Sequence, residues 1–110
     1  MFSVKFGILF KGFAMGINDM LGQHREAILA LADKYGASNV RVFGSVARGT
    51  ADDNSDIDFL VDLRPGRSLF DLGGLLSDLQ SLLNHNVDVV TTKGLRDRIR
   101  QRIIAEAVSL

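Results

Sequence analysis

The sequence predicts an α/β fold of the α+β type, in which three strands form one sheet and helices cover it. Three short runs rich in β-branched and apolar residues have the composition of strands. Segments with apolar residues at helical spacing alternate with them. The chain has 110 residues, of which 46% are hydrophobic, so it is large enough to bury a core of its own.

The first half of the chain predicts a helix, a strand and a short helical turn. Leucine and isoleucine recur at helical spacing from Asn18 to Lys34, and Gly36 then allows the helix to end. Asn39 to Phe43 has strand composition, and Ser45 to Arg48 is predicted to form one helical turn.

The second half predicts two further strands, each followed by a helix. The strands are Asp56 to about Asp62 and Asn86 to Val90. Between them, Ser68 and Asp71 predict a capping box with aspartate in the usual glutamate position. Leucines at helical spacing continue from that box, and Gly73-Gly74 within the helix predicts a close backbone approach that offsets the poor helix propensity of glycine. The final helix is predicted from apolar residues at i, i+4 spacing, namely Leu95, Ile99, Ile103 and Ala107.

Composition restricts the classes of protein to consider. Lysine and arginine total 13 and aspartate and glutamate total 13, and this balance argues against direct binding of nucleic acid through a basic surface. The absence of cysteine fits a reducing compartment, so we expect a cytoplasmic protein. No segment has the pattern of a signal peptide or a membrane span. We predict an N-terminal extension of uncertain structure over residues 1–17 and a single domain over residues 18–110.

Three aspartates are the candidate catalytic and metal-binding residues. In a strand, Asp56 and Asp58 leave the same face, with Cα atoms roughly 6.6 Å apart at ~3.3 Å per residue, so both can bind the same pair of cations. Asp88 is an acid within an apolar strand and completes a triad if its strand lies beside that of Asp58. The alternative is that the acids of residues 52–62 form only a solvated loop and strand edge.

Gly44, Ser45 and Arg48 are the candidate nucleotide-binding residues. Without a Cβ, Gly44 at the end of a strand lets backbone N–H groups approach phosphates, and the Ser45 hydroxyl adds a donor. Arg48 is a further candidate for a phosphate contact. A tight turn with a surface arginine is the simpler alternative. A Walker A motif is excluded, because no lysine follows the glycines of this loop.

The spacing of these residues resembles the signature of the DNA polymerase β-like nucleotidyltransferase superfamily. Gly44-Ser45 is followed by ten residues, then by Asp56-x-Asp58, with Asp88 on a later strand. The strings GSVARG, SDIDFLVDL, DLGGLLSDL and VDVVTTKGLRDRIR are similar to those of the minimal MNT group, the antitoxin partners of HEPN-domain RNase toxins. The resemblance implies a three-stranded mixed sheet flanked by about four helices.

The resemblance also implies an activity. It implies Mg²⁺-dependent transfer of AMP from ATP to a hydroxyl, the acceptor being a tyrosine of a cognate HEPN toxin with which the protein forms a hetero-oligomer. Asp56, Asp58 and Asp88 are the implied ligands of two Mg²⁺ ions, and Asp88 is also the candidate base. Two alternatives remain open: a small-molecule acceptor of the antibiotic type, and a non-catalytic antitoxin that blocks the toxin by binding alone.

Overall fold

The computed structural model describes residues 17–110. Except for Ile17, the predicted extension over residues 1–17 therefore lies outside the described residues. Nine elements follow one another in the chain: α1 (Ile17–Gln23), α2 (Arg25–Lys34), β1 (Ala37–Phe43), α3 (Gly44–Arg48), β2 (Ile57–Leu63), α4 (Leu69–Leu83), β3 (Val87–Thr91), α5 (Asp97–Glu106) and β4 (Val108–Ser109).

The described strands form one mixed sheet in the order β3-β2-β1-β4. β1 pairs antiparallel with β2 on one side and with β4 on the other. β2 and β3 run parallel, which requires a crossover connection, and α4 provides it. The two central strands are therefore β1, which ends directly before Gly44, and β2, which contains Asp58.

The core lies between one face of the sheet and the helices α1, α2 and α4. Strand residues alternate, so Ile57 and Phe59 of β2 are 0% exposed in this core while Asp58 between them faces the other side. The buried core residues of α1, α2 and α4 are Ile17, Leu21, Ile28, Ala32, Leu75, Leu79 and Leu83, and Val46 of α3 joins them. Within residues 17–110, no helix combines the length and the apolarity that crossing a bilayer needs.

The capping box of α4 is confirmed. The Phe70 N–H donates to Ser68 Oγ at 3.2 Å, and the Ser68 N–H donates to Asp71 Oδ2 at 2.9 Å.

The close approach predicted at the glycine pair of α4 is confirmed at Gly74 only, where a Cβ would collide with the Tyr35 ring. At Gly73 the space is open.

The structure differs from the prediction in two element counts. The sheet has a fourth strand, because the chain turns out of α5 at Ala107 and the two-residue β4 pairs with β1. The predicted first helix is divided at His24 into α1 and α2. Two hydrogen bonds of helical spacing still cross the break, from the His24 N–H to the Met20 carbonyl and from the Ile28 N–H to the His24 carbonyl. Neither difference changes the fold class.

Candidate active site

The sheet brings Asp58 and Asp88 side by side. β2 and β3 pair in parallel register, with Asp58 opposite Asp88 and Ile57 opposite Val87. Val87 is buried in the core, so the two aspartates lie on the other face of the sheet. Asp56 directly precedes β2, and both it and Asp88 are exposed whereas Asp58 is partly buried. The condition for the proposed triad, that the third strand lies beside the second, is therefore met.

The three carboxylates interact electrostatically. The pKa of Asp58 lies above its ordinary value, first because burial disfavours the charged form, and then because the negative charges of Asp88 and Asp56 oppose another charge beside them. The Arg48 guanidinium acts in the opposite direction and lowers the pKa of Asp58. Among residues 17–110, no three acidic, histidine or cysteine side chains are gathered into a group that could hold a metal ion as they stand. The role of the three aspartates as metal ligands therefore remains a prediction.

Gly44 lies against the Asp58 carboxylate. Its predecessor Phe43 ends β1 opposite Asp58 in the antiparallel register, and Gly44 then opens α3 with φ of +71°. A Cβ at this position would collide with Asp58 Oδ2. Glycine is therefore required here on two grounds, the left-handed backbone and the contact with the carboxylate.

Ser45 and Arg48 belong to α3, the single helical turn that follows Gly44. The Thr50 N–H donates to the Ser45 carbonyl at 2.9 Å and closes the turn. Gly49 takes φ of +76° at the C-terminal end of α3. The structure thus places the three candidate nucleotide-binding residues on one turn beside Asp58, and their contacts with a nucleotide remain a prediction.

Glu106, near the end of α5, is a site residue that the sequence did not predict. Its carboxylate accepts a hydrogen bond from the Gly44 N–H at 2.8 Å and from Arg48 Nη1 at 2.8 Å. These contacts join residues 62 and 58 positions apart in the sequence. The basic composition of α5 gave no indication that its one acid near the C-terminus would reach the glycine-serine turn.

Asp62 lies on the same face of β2 as Asp58 but serves a separate hydrogen-bond network. Asn39 Nδ2 donates to it at 3.0 Å, Arg41 Nη2 at 3.1 Å and Thr92 Oγ1 at 2.8 Å. This network holds β1, β2 and the residue after β3 together. Asp62 is a structural carboxylate.

Comparison with known proteins identifies the family to which this fold belongs. Residues 24–110 match the family model described as the nucleotidyltransferase domain. The chain belongs to the nucleotidyltransferase domain family, which confirms the family predicted from the glycine-serine and aspartate spacing.

Particular relatives are similar along most of the chain. The protein adenylyltransferase MntA of Thermococcus cleftensis is 34% identical over 92 residues, which cover 84% of this chain and 90% of that protein. A solved structure of a "putative minimal nucleotidyltransferase" is 44% identical, has a TM-score of 0.79, and aligns over 90% of this chain and all of its own. A crystal structure of a toxin-antitoxin with AMP-PNP shares the fold at a TM-score of 0.67 and 24% identity, over 76% of this chain and 69% of its own.

Proposed function

We propose that this protein is a Mg²⁺-dependent protein adenylyltransferase that moves AMP from ATP to a hydroxyl, the acceptor being a tyrosine of a HEPN RNase toxin. One observation carries the proposal: parallel pairing sets Asp58 beside Asp88, and the left-handed Gly44 lies against Asp58. Carboxylates next to a backbone cradle are the parts that metal-assisted nucleotide chemistry requires.

The carboxylates fit Mg²⁺ by their chemistry. Oxygen ligands are those that Mg²⁺ prefers, and it keeps several waters, so it needs few protein ligands. The pKa of Asp58 is raised first by burial and then by the negative charges of Asp88 and Asp56, and a divalent cation bound there would favour the charged form. Asp56 and Asp58 would hold two ions and Asp88 one of them. Bound there, Mg²⁺ would neutralise charge that develops on the phosphates.

The remaining chemistry falls to the protein's own groups. The Ser45 hydroxyl, the Arg48 guanidinium and the backbone of the Gly44 turn would bind the triphosphate and fix its orientation. Asp88 would take the proton of the acceptor hydroxyl while that oxygen forms a bond to the α-phosphorus of ATP. The bond from the α-phosphorus to the bridging oxygen breaks, and pyrophosphate leaves.

The acceptor is proposed from two similarities and from the layout of the site. The Thermococcus relative is named a protein adenylyltransferase, and a toxin-antitoxin crystal structure shares the fold. Asp56 and Asp88 are exposed at an open face of the sheet, where a partner protein can present a tyrosine. A macromolecular partner would thus complete the acceptor side of the site.

Transfer of labelled AMP tests the proposal. The protein is incubated with ATP labelled in the α-phosphate, Mg²⁺ and a HEPN RNase toxin as the proposed acceptor, and the label on the toxin is measured. The double variant Asp56→Ala/Asp58→Ala should lose transfer by about 10³-fold or more, because metal binding and positioning supply most of the catalysis of phosphoryl transfer.

The matched control removes two carboxylates elsewhere. Asp19→Ala/Asp53→Ala deletes two exposed acids outside the cluster and should transfer AMP at the normal rate. Label that persists on the toxin with the Asp56→Ala/Asp58→Ala protein would refute the site. Neutralisation of the toxin by that variant without any labelling would instead support inhibition by binding alone.

A further inference from the structure

A carboxylate of the protein itself occupies the turn from Gly44 to Arg48, where we propose that the triphosphate binds. Glu106 Oε2 accepts from the Gly44 N–H and Oε1 accepts from Arg48 Nη1, so one side chain engages two donors proposed for the triphosphate. The pKa of Glu106 lies below its ordinary value, first because Arg48 donates to it and next because the Gly44 N–H does. Glu106 is therefore an anion at neutral pH, held where a phosphate oxygen would bind.

The helix that carries Glu106 is held by polar contacts in its N-terminal half and by the pairing of β4 with β1 just after its C-terminus, but not by burial of its own side chains. None of the residues of α5 is buried, and Ile99 and Ile104 are 39% and 42% exposed. Polar contacts hold the N-terminal half: Arg100 Nε donates to the Thr92 carbonyl at 2.9 Å, and Arg100 Nη2 to the Leu95 carbonyl at 2.8 Å. Withdrawal of Glu106 would expose little apolar surface, so the movement is not opposed by a large hydrophobic term.

The contact that α5 would give up is of moderate strength. In the ion pair the Arg48 side chain is 55% exposed and the Glu106 side chain 26% exposed, so water screens the attraction in part. A triphosphate offers several acceptor oxygens and more negative charge to the same two donors. The same two donors could therefore exchange the Glu106 carboxylate for the triphosphate.

We propose that Glu106 is an autoinhibitory anion, which occupies the phosphate-binding turn in the resting protein and must leave it when ATP binds. This inference rests on the proposed function, because it takes ATP as the ligand of the Gly44 turn. The coupling is reciprocal: a partner that holds α5 away from the turn would raise the affinity for ATP, and bound ATP would release α5.

Titration with ATP tests the inference. Calorimetry of ATP binding in the presence of Mg²⁺, without any acceptor protein, is carried out on the natural protein and on Glu106→Gln and Glu106→Ala. Removing the competing charge should tighten ATP binding by about threefold to thirtyfold, because the competent state no longer has to form against the ion pair. Glu26→Gln changes the only other glutamate of the chain, which is exposed on α2, and should bind ATP as the natural protein does.

The outcomes separate the inference from the function on which it rests. Weaker ATP binding by the Glu106 variants would overturn the inference, since it would show that Glu106 positions Arg48 and Gly44 for the nucleotide. Equal binding by all proteins would also overturn it and would leave the adenylyltransferase proposal standing. Absence of ATP binding in every protein would refute both the role of Glu106 and the proposed adenylyltransferase function.

Hydrogen exchange supplies a measurement that does not depend on affinity. ATP should raise the exchange rates of amides in residues 97–107 of the natural protein, because α5 loses its contact with the turn. In Glu106→Gln these amides should exchange faster before ATP is added, and ATP should change them little. Slower exchange of α5 on ATP binding to the natural protein would contradict the inference.

Discussion

Gly44 is required at the candidate site both by its backbone conformation and by its contact with Asp58. Its φ of +71° is a conformation that side chains rarely adopt, and Asp58 Oδ2 fills the space that a Cβ would take. The glycine was predicted from the sequence for its access to phosphates. Its second role, to let the Asp58 carboxylate lie against the turn, depends on the register of β1 and β2 and could not be predicted.

We expect Gly44→Ala to impair both folding and nucleotide binding. The left-handed backbone should cost about 1 kcal/mol of stability, and the collision with Asp58 should add a further 1 kcal/mol or more. Gly49→Ala is the matched control, because Gly49 has φ of +76° but no atom within 4 Å of the position that a Cβ would take. Urea unfolding of both variants measures the difference, and equal losses of stability would show that the collision is unimportant.

Asp58 and Asp62, which lie on the same face of β2, should affect stability in opposite directions. The pKa of Asp58 is raised from 3.8, chiefly by burial, so its penalty on the native state grows as the pH rises through that value. The pKa of Asp62 is lowered from 3.8, because hydrogen bonds from Asn39, Thr92 and Arg41 outweigh the effect of burial. The stability that Asp62 contributes is present above pH 3.8 and is lost as the pH falls through the folded pKa.

At pH 7, Asp58→Asn should therefore raise the free energy of unfolding. Asp62→Asn should lower it by about 0.5–1 kcal/mol, a modest value because the Asp62 side chain is 45% exposed and solvent screens its partners. Chemical unfolding at pH 7 and at about pH 2 measures both effects. At the acid pH the two variants should approach the natural protein, and a difference that is independent of pH would argue against ionisation as its cause.

At the scale of elements, α4 contains two adjacent glycines in different surroundings. Gly73 is exposed with open space around it, whereas a Cβ on Gly74 would meet the Tyr35 ring. That ring is fixed by a hydrogen bond from Tyr35 Oη to Asp78 Oδ2 at 2.7 Å. Only Gly74 has a packing reason to be glycine.

We expect alanine at the two positions to have opposite effects. Gly73→Ala should raise the free energy of unfolding by about 1 kcal/mol through helix propensity alone. Gly74→Ala gains the same propensity but displaces Tyr35, and overpacking of this kind costs about 1–3 kcal/mol, so the net change should be destabilising. Thermal unfolding of the pair compares them directly, and a stabilised Gly74→Ala protein would show that the Tyr35 ring moves aside freely.

Element prediction from the sequence succeeded where the pattern is local. The leucines of α4 specify its buried face, the alternation of β2 specifies the face that Ile57, Phe59 and Val61 turn to the core, and the capping box specifies where α4 begins. β4 was missed because a two-residue strand has no periodicity of its own and exists only by pairing with β1. The position of α5 over the glycine-serine turn was missed for the same reason, since it depends on tertiary contacts.

At the scale of the whole molecule, topology concentrates acidic charge although the net charge is zero. The parallel crossover through α4 places β3 beside β2. Asp88 therefore lies near Asp56 and Asp58, which are about thirty residues earlier in the chain. The sequence made the adjacency of these carboxylates conditional on where the third strand pairs, and the structure places that strand beside β2. The sequence could not predict that Asp58 would be partly buried and its pKa raised, because burial depends on the assembled fold.

Mg²⁺ should therefore stabilise the folded protein in the absence of ATP. A cation that binds only the native state at ten times its Kd adds about 1.4 kcal/mol to the free energy of unfolding. The increase should vanish in Asp56→Asn/Asp58→Asn, and KCl at the same ionic strength should not reproduce it. A magnesium effect of equal size in the double variant would place the cation elsewhere.

The position of β3 has a further consequence, for solubility. Within the described part of the chain β3 is an edge strand, so one row of its backbone donors and acceptors is open to pairing with another polypeptide. Its apolar residues Val87, Val89 and Val90 would favour such fibril-like association, and the strand is protected by its length of five residues and by the charge of Asp88. The carboxylate that we propose as the proton acceptor would therefore also oppose association of the sheet at this edge.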